Sequence, residues 1–303
     1  MQALKEFIKQ ETVLVIAMIL AIVSMFFVAP DSGYAGYIDY QTLALLFCLM
    51  IIMCKLQKMG VFHTIGVKLL QKVNGSRQLY AALVLLCFFS SMLITNDVAL
   101  ITFVPFAITV LKMAGLEHRM IPVVVLQTVA ANLGSMVTPI GNPQNLYLYG
   151  QSGMSLGSFI MLMLPYAAIA AVIFALMIMR MKNQNVDTTA LQTMDAPKIN
   201  VDRDLIIYMA LFLGCVLAVA KILPWQAMLI VVGAVTVKND ASILKNVDYS
   251  LLLTFVAFFV FIGNLGRSPF FSEMIMEMMQ GNEVLASVAA SQVISNVPAA
   301  LML

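Results

Sequence analysis

The sequence predicts an all-α membrane protein, a polytopic helical bundle with inverted-topology repeats and re-entrant helical hairpins. Three observations predict it. The 303 residues are 62% hydrophobic and only 11% charged, with a mean hydropathy of +0.96, far too apolar for a water-soluble globular domain. Lysine and arginine gather in clusters between the apolar stretches. A polar triplet, Thr95-Asn96-Asp97, interrupts one apolar run and is echoed near the far end of the chain by Ser295-Asn296.

Stretches long enough to cross the hydrocarbon, or nearly so, lie at 12–28, 41–56, 79–111, 120–138, 156–180, 205–220, 223–237 and 250–266, and another begins near 284. The first follows Lys5 and Lys9 as a secretory signal would. It is long, however, and "VAPDSGYAG" is a poor cleavage site, so an uncleaved first helix is expected. Cys48, Cys54, Cys87 and Cys215 fall within the stretches without ligand-type spacing and are expected to be small packing residues. His63 and His118 are placed in polar connections, outside any metal motif. The 24 methionines are expected to serve as adaptable packing.

With the N-terminus on the cytoplasmic side, 15 of the 17 basic residues lie inside and only Lys221 and Arg267 lie outside, as the positive-inside rule requires. The run 79–111 must then enter and leave by one face. As a single straight helix it would be about 50 Å long against a hydrocarbon core of about 30 Å. Broken at Thr95-Asn96-Asp97, it becomes a hairpin with arms of roughly 20 to 24 Å. Non-helical backbone at that depth is tolerated only where it is buried in protein or lines a watery cavity.

Two echoes recur in the same order. "DYQTLALLFCLMIIMCKLQKMGVF" at 39–62 is loosely matched by "DYSLLLTFVAFFVFIGNLGRSPFF" at 248–271, and "SSMLITNDVAL" at 90–100 by "ASQVISNVPAA" at 290–300. The charge count puts Asp39 outside and Asp248 inside, so the halves are expected to be upside down relative to each other, a signature of secondary transporters. The expected organisation is an N-terminal helix and outer loop at 1–38, and a first repeat at 39–181 with its hairpin at 79–111 and a broken helix at 120–150. A cytoplasmic linker follows at 182–203, then connecting helices at 204–247 and a second, inverted repeat at 248–303. That second copy stops short; a complete one is expected to end near roughly position 380.

Three polar stretches are expected to converge near the midplane: Thr95-Asn96-Asp97, Ser295-Asn296, and "GSMVTPIGNPQN" at 134–145. In the last, Gly134, Pro139, Gly141 and Pro143 break the helical ladder and free carbonyls for a cation and amides for an anion. Thr138, Asn142, Gln144 and Asn145 add neutral donors and acceptors. Asp97 is the one acid placed deep in the membrane, a candidate cation ligand, proton carrier or counter-ion. Asn96 and Asp97 would also serve as ordinary N-caps. Asp31, Asp39, Glu273, Glu277 and Glu283 are expected to be solvated at the outer face.

At "LITNDVALITFVPF", "ANLGSMVTPIGNPQNLY" and "SQVISNVPAAL" the chain resembles the ion transporter superfamily. Specifically, it resembles the anion permease branch, grouped with citrate transporters, arsenite pumps and sodium/proton antiporters and related to divalent anion:sodium symporters. The resemblance implies a non-enzymatic permease of the plasma (inner) membrane that moves its transport domain by an elevator mechanism, often as a homodimer. It implies a small inorganic or carboxylate anion as substrate and Na+ or H+ as coupling ion, with no other cofactor and no nucleic-acid partner. Carried over, Asn96 and Asn296 contact the anion, with Thr95 and Ser295 beside them and Asn142 and Asn145 near. The stretch from Thr138 through Gly141 to Asn142 helps with the first cation site, and Asp97, by its own charge and depth, is expected to handle the cation with Thr95 and Asn96. The chain departs from the relatives' Ser-Asn-Thr tips at Asp97 and Val297. The first adds negative charge, which gives weight to arsenite efflux or sodium/proton antiport as alternatives, beside a non-transporting fragment. An intramembrane aspartyl protease would need a second intramembrane aspartate.

Overall fold

The structure is a computed structural model in which residues 6, 8–184, 202–294 and 296–302 are described. Among these, every regular element is helical: α1 Thr12–Ser24, α2 Tyr40–Lys58, α3 Val61–Leu70, α4 Ser76–Ser90, α5 Asn96–Met113, α6 Met120–Ser135, α7 Pro143–Ser152, α8 Leu156–Arg180, α9 Arg203–Val219, α10 Trp225–Asp240, α11 Tyr249–Arg267, α12 Pro269–Met279, α13 Glu283–Ile294 and α14 Asn296–Met302. Among the described residues five helical stretches are long and apolar enough to cross a membrane: Tyr40–Lys58, Asn96–Met113, Leu156–Arg180, Trp225–Asn246 and Tyr249–Arg267. α8, of 25 residues, is about 37 Å long, enough for the hydrocarbon with tilt to spare. Ser155 caps its start by accepting from the Ser158 amide at 3.1 Å, and Arg180 closes it at the negative end of its dipole. Ile169, Val172, Ile206 and Ile230 are each more than half exposed, an apolar exterior that suits lipid. The protein is an all-α polytopic membrane protein.

The chain forms two compact units, residues 1–47 with 246–303, and residues 48–245, the boundary falling inside α2. In the first, α1 packs along α11 through the buried small residues Ala17, Ala21 and Ser24, whose spacing lets the backbones approach. The Asn264 amide on α11 donates at 2.9 Å to both Ser24 Oγ and Tyr34 Oη, fixing the register of the two helices. Asp31 is not merely solvated as expected. Both its oxygens meet Arg267, at 3.0 and 2.8 Å, which ties the loop before the 3-10 turn Ser32–Tyr37 to the end of α11.

That pair carries a pH prediction. The Arg267 guanidinium holds the Asp31 carboxyl below the ordinary carboxylate range. A depressed acid contributes stability that is complete above its unfolded value of about 3.9 and is lost as pH falls through the folded value. The melting temperatures of the protein and of Asp31→Asn in detergent are therefore expected to differ above pH 4 and to converge below it. Parallel curves across that range would remove the pair from the acid response.

The two echoes occupy matching structural positions. Asp39 and Asp248 each precede a 19-residue helix, and each accepts a hydrogen bond from the amide three residues on, Thr42 at 3.0 Å and Leu251 at 2.9 Å. Asn96 is the first residue of α5 and Asn296 the first of α14. Residues 185–201, most of the expected linker, lie outside the described residues.

In the second unit, α4 and α5 form an antiparallel hairpin packed on α6. Gln127, fully buried on α6, donates to the Leu83 carbonyl of α4 at 3.2 Å and the Phe103 carbonyl of α5 at 3.4 Å, so those two levels lie side by side. The expected hairpin at 79–111 is thus longer at both ends, from Ser76 to Met113. His63 lies on a helix, α3, and not in a connection; its ring meets Phe106 edge-on with centroids 5.3 Å apart. The amphipathic spacing of Phe62, Gly66, Val67 and Leu70 buries one face of that short helix. At one end of α2, Lys55 lies 3.3 Å from Asp204 and 3.4 Å from Asp240, joining α2 to α9 and α10.

Candidate functional site

Two helix interruptions in the second unit meet. The first, at 91–95, separates α4 from α5. Thr95 has extended backbone, and its side chain accepts from the Val98 amide at 3.4 Å, so Thr95 is the N-cap of α5. Asn96 and Asp97 stand one and two places inside the helix, where a carboxylate complements the positive end of the dipole.

The second interruption, at 136–142, separates α6 from α7. Asn142 caps α7 by accepting from the Asn145 amide at 2.8 Å, and Pro143 occupies the first turn, where its missing N–H leaves nothing unsatisfied. Asn142 also donates to Ser135 Oγ at 3.1 Å. The side-chain amide of Asn145 lies within reach of three carbonyls left by the end of α6: Ser135 at 3.3 Å, Met136 at 2.9 Å and Thr138 at 3.3 Å. Asn142 and Asn145 are almost fully buried, and these bonds hold the break in shape. Gly141 fits because a Cβ there would stand 2.1 Å from the Ser135 carbonyl oxygen. Gly134, expected among the breakers, lies inside helix α6 and serves instead as a point of close approach to α4.

The two breaks are laced together. The Asn96 backbone amide donates to the Gly141 carbonyl at 3.1 Å, and the Thr138 hydroxyl donates to the Met92 carbonyl. The structure therefore brings Thr95, Asn96, Asp97, Thr138, Gly141, Asn142 and Asn145 into one neighbourhood. Asn96 donates from its side chain to Asn132 Oδ1 at 3.0 Å, while its own carbonyl oxygen is shielded from solvent and meets no donor. A shielded amide oxygen without a partner costs about 1–3 kcal/mol, which a cation or a hydroxyl-bearing ligand would recover. Asp97 is exposed beside it. The local chemistry is acceptor-rich.

Asn296 belongs to the first unit, where it is exposed at the start of α14; Ser295 lies outside the described residues. Val297 and Pro298, which follow it, line a cleft of about 460 Å³ together with Glu11, Asp248 and Ser250. The Ser250 hydroxyl donates to Glu11. Sequence reasoning missed two polar residues here. Asn132 is an asparagine in a largely apolar helix two residues before Gly134, and Glu11 opens the first apolar stretch; polarity in those places was the available signal.

A polytopic helical protein with paired helix breaks, internal echoes and a polar neighbourhood between its breaks defines a membrane transporter. The chain belongs to the citrate transporter family, whose model matches residues 7–303. It is 32% identical over 273 residues to an uncharacterized transporter of Methanocaldococcus jannaschii, a match covering 88% of this chain and 72% of that protein. It is 29% identical over 281 residues to the inner membrane protein YbiR of Escherichia coli, covering 91% of this chain and 73% of that one. A shorter match, 33% identical over 138 residues, relates 46% of this chain to 28% of the silicon efflux transporter LSI3 of Oryza sativa subsp. japonica. The protein is an integral membrane transporter of a small substrate, and not an enzyme.

Proposed function

We propose that the chain is a cation-coupled secondary transporter for a small inorganic or carboxylate anion, working by elevator-type alternating access. The observation that carries this reading is the laced pair of breaks, with the unpartnered Asn96 carbonyl oxygen and the exposed Asp97 carboxylate at their surface. Asp97 and Asn96, with Thr95, Thr138, Gly141 and Asn142, handle the coupling Na+ or H+. Asn142 and Asn145 act by keeping the break open and rigid. Asn296, with Ser295, supplies an anion contact from the second repeat, as Asn96 does from the first.

On this reading α4 and α5 form a re-entrant hairpin from the cytoplasmic side. The N-terminus faces the cytoplasm, the second repeat is inverted, and the working assembly is a homodimer in the plasma (inner) membrane. A second reading, proton-driven efflux of a weakly acidic oxyacid, is favoured by one feature. A carboxylate at the tip suits a proton or an undissociated hydroxyl better than a second negative charge.

Proteoliposomes separate the two. Uptake of citrate or phosphate driven by an imposed inward Na+ or proton gradient is expected under the first reading. Under the second, arsenite or silicic acid leaves the vesicles while protons enter, and neither anion moves. Flux of none of these solutes under either gradient would set both aside.

A further inference from the structure

A cleft of about 430 Å³ lies between the start of α4 and the end of α8, well apart in sequence from the two breaks. Its rim is polar, formed by Asn74, Arg77, Gln78 and Asn183. Its walls are apolar, with Ala81 and Leu85 one helical turn apart on α4 facing Ala175 and Ile178 on α8. The small alanines open the groove between the two helices.

Arg77 carries the argument. Its Nη2 donates to the Met181 carbonyl at 3.0 Å, which fixes the side chain across the joint between the two segments. Its Nε is shielded from solvent and has no acceptor, and among the described residues no carboxylate pairs with it. Lys68, Lys72, Arg180 and Lys182 lie on the same two segments, while residues 68–78 and 175–184 contain no Asp or Glu. Among the described residues Arg77 is therefore left without an ionic partner, and it sits where two apolar helices end. A guanidinium with free donors recognises phosphate oxygens. Basic pockets between transmembrane helices at their ends bind anionic headgroups.

We propose that this cleft is a binding site for an anionic phospholipid. The headgroup phosphate meets Arg77 at the rim, and one acyl chain lies along Ala81, Leu85 and Ala175. The site is independent of what the protein transports.

The test uses the purified full chain in detergent, stripped of lipid and titrated with dioleoylphosphatidylglycerol or dioleoylphosphatidylcholine, with bound lipid counted by native mass spectrometry. The anionic lipid is expected to be preferred. Arg77→Gln is expected to reduce that preference about fivefold, the worth of one basic residue near a membrane surface. Ala81→Phe, which fills the groove at a half-exposed position and keeps Arg77, is expected to lower binding of the anionic lipid with the rim charge intact. Equal binding of the two lipids overturns the proposal. So does anionic-lipid binding that Ala81→Phe leaves unchanged, which reads out the site even where Arg77→Gln fails to fold.

Discussion

Gly134→Ala is expected to stop α4 and α6 from closing on each other. A Cβ at position 134 would lie 2.0 Å from the Phe88 carbonyl oxygen and 2.6 Å from Ser91 Oγ. Backbone cannot turn away as a flexible side chain can, so the helices must separate by an ångström or more. Phe88 and Ser91 lead directly into the first break, and α6 leads into the second. Separation there removes packing and strains both the Thr138–Met92 and Asn96–Gly141 bonds. Overpacking of this kind costs about 3 kcal/mol or more where the neighbour cannot give. The checking measurement is the folded fraction by denaturant titration in detergent, with size-exclusion profiles of the membrane extract. Gly233→Ala is the companion, since a Cβ at that position in α10 meets nothing within 4 Å. It is expected to be neutral or to stabilise by about 1 kcal/mol, because the helix interior gains a better helix former. Equal behaviour of the two variants would show that α4 and α6 do not approach closely at Gly134.

Asp97→Asn is expected to keep the fold and lose the coupling. The amide is nearly isosteric with the carboxylate and removes only its charge, so helix α5 and its Thr95 cap are retained. If the carboxylate served only the helix dipole, the loss would be about 0.3–1 kcal/mol of stability with flux unchanged. If it handles the coupling cation or proton, gradient-driven transport is expected to fall by roughly tenfold, equivalent to about 1.4 kcal/mol of coupling free energy. Its dependence on Na+ or on pH should change with it. Melting temperature and proteoliposome flux, measured on the same preparation across Na+ concentrations and pH, separate the outcomes. A variant with unaltered rate and unaltered cation dependence would end the assignment of Asp97 to coupling.

The class of protein was plain from one-dimensional information, because lipid imposes its demands on composition and length before any tertiary contact forms. Apolar runs at 156–180 and 250–266 became α8 and α11 nearly residue for residue, since hydrocarbon leaves the backbone no partner but its own helix. The breaks were also readable: Asn142 and Pro143 punctuate a helix whatever surrounds them. Even the echo at Asp39 and Asp248 was visible as letters, and both turned out to sit at the start of a helix of equal length.

What periodicity does not encode is which polar atoms answer one another across the fold. Asn142, Asn145 and Asn96 look alike in the sequence, three amides in two apolar runs. The first two point their amides back at the end of their own broken helix, whereas Asn96 pairs with Asn132, 36 residues away, and keeps an acceptor unanswered. Gly134 and Gly141 likewise read as equal breakers, yet one lies within a helix against Phe88 and the other folds over Ser135. Those distinctions arise from where the hairpin lands on α6. That landing is set by packing between segments distant in the chain, and packing of that kind leaves no repeating mark on the residues that make it.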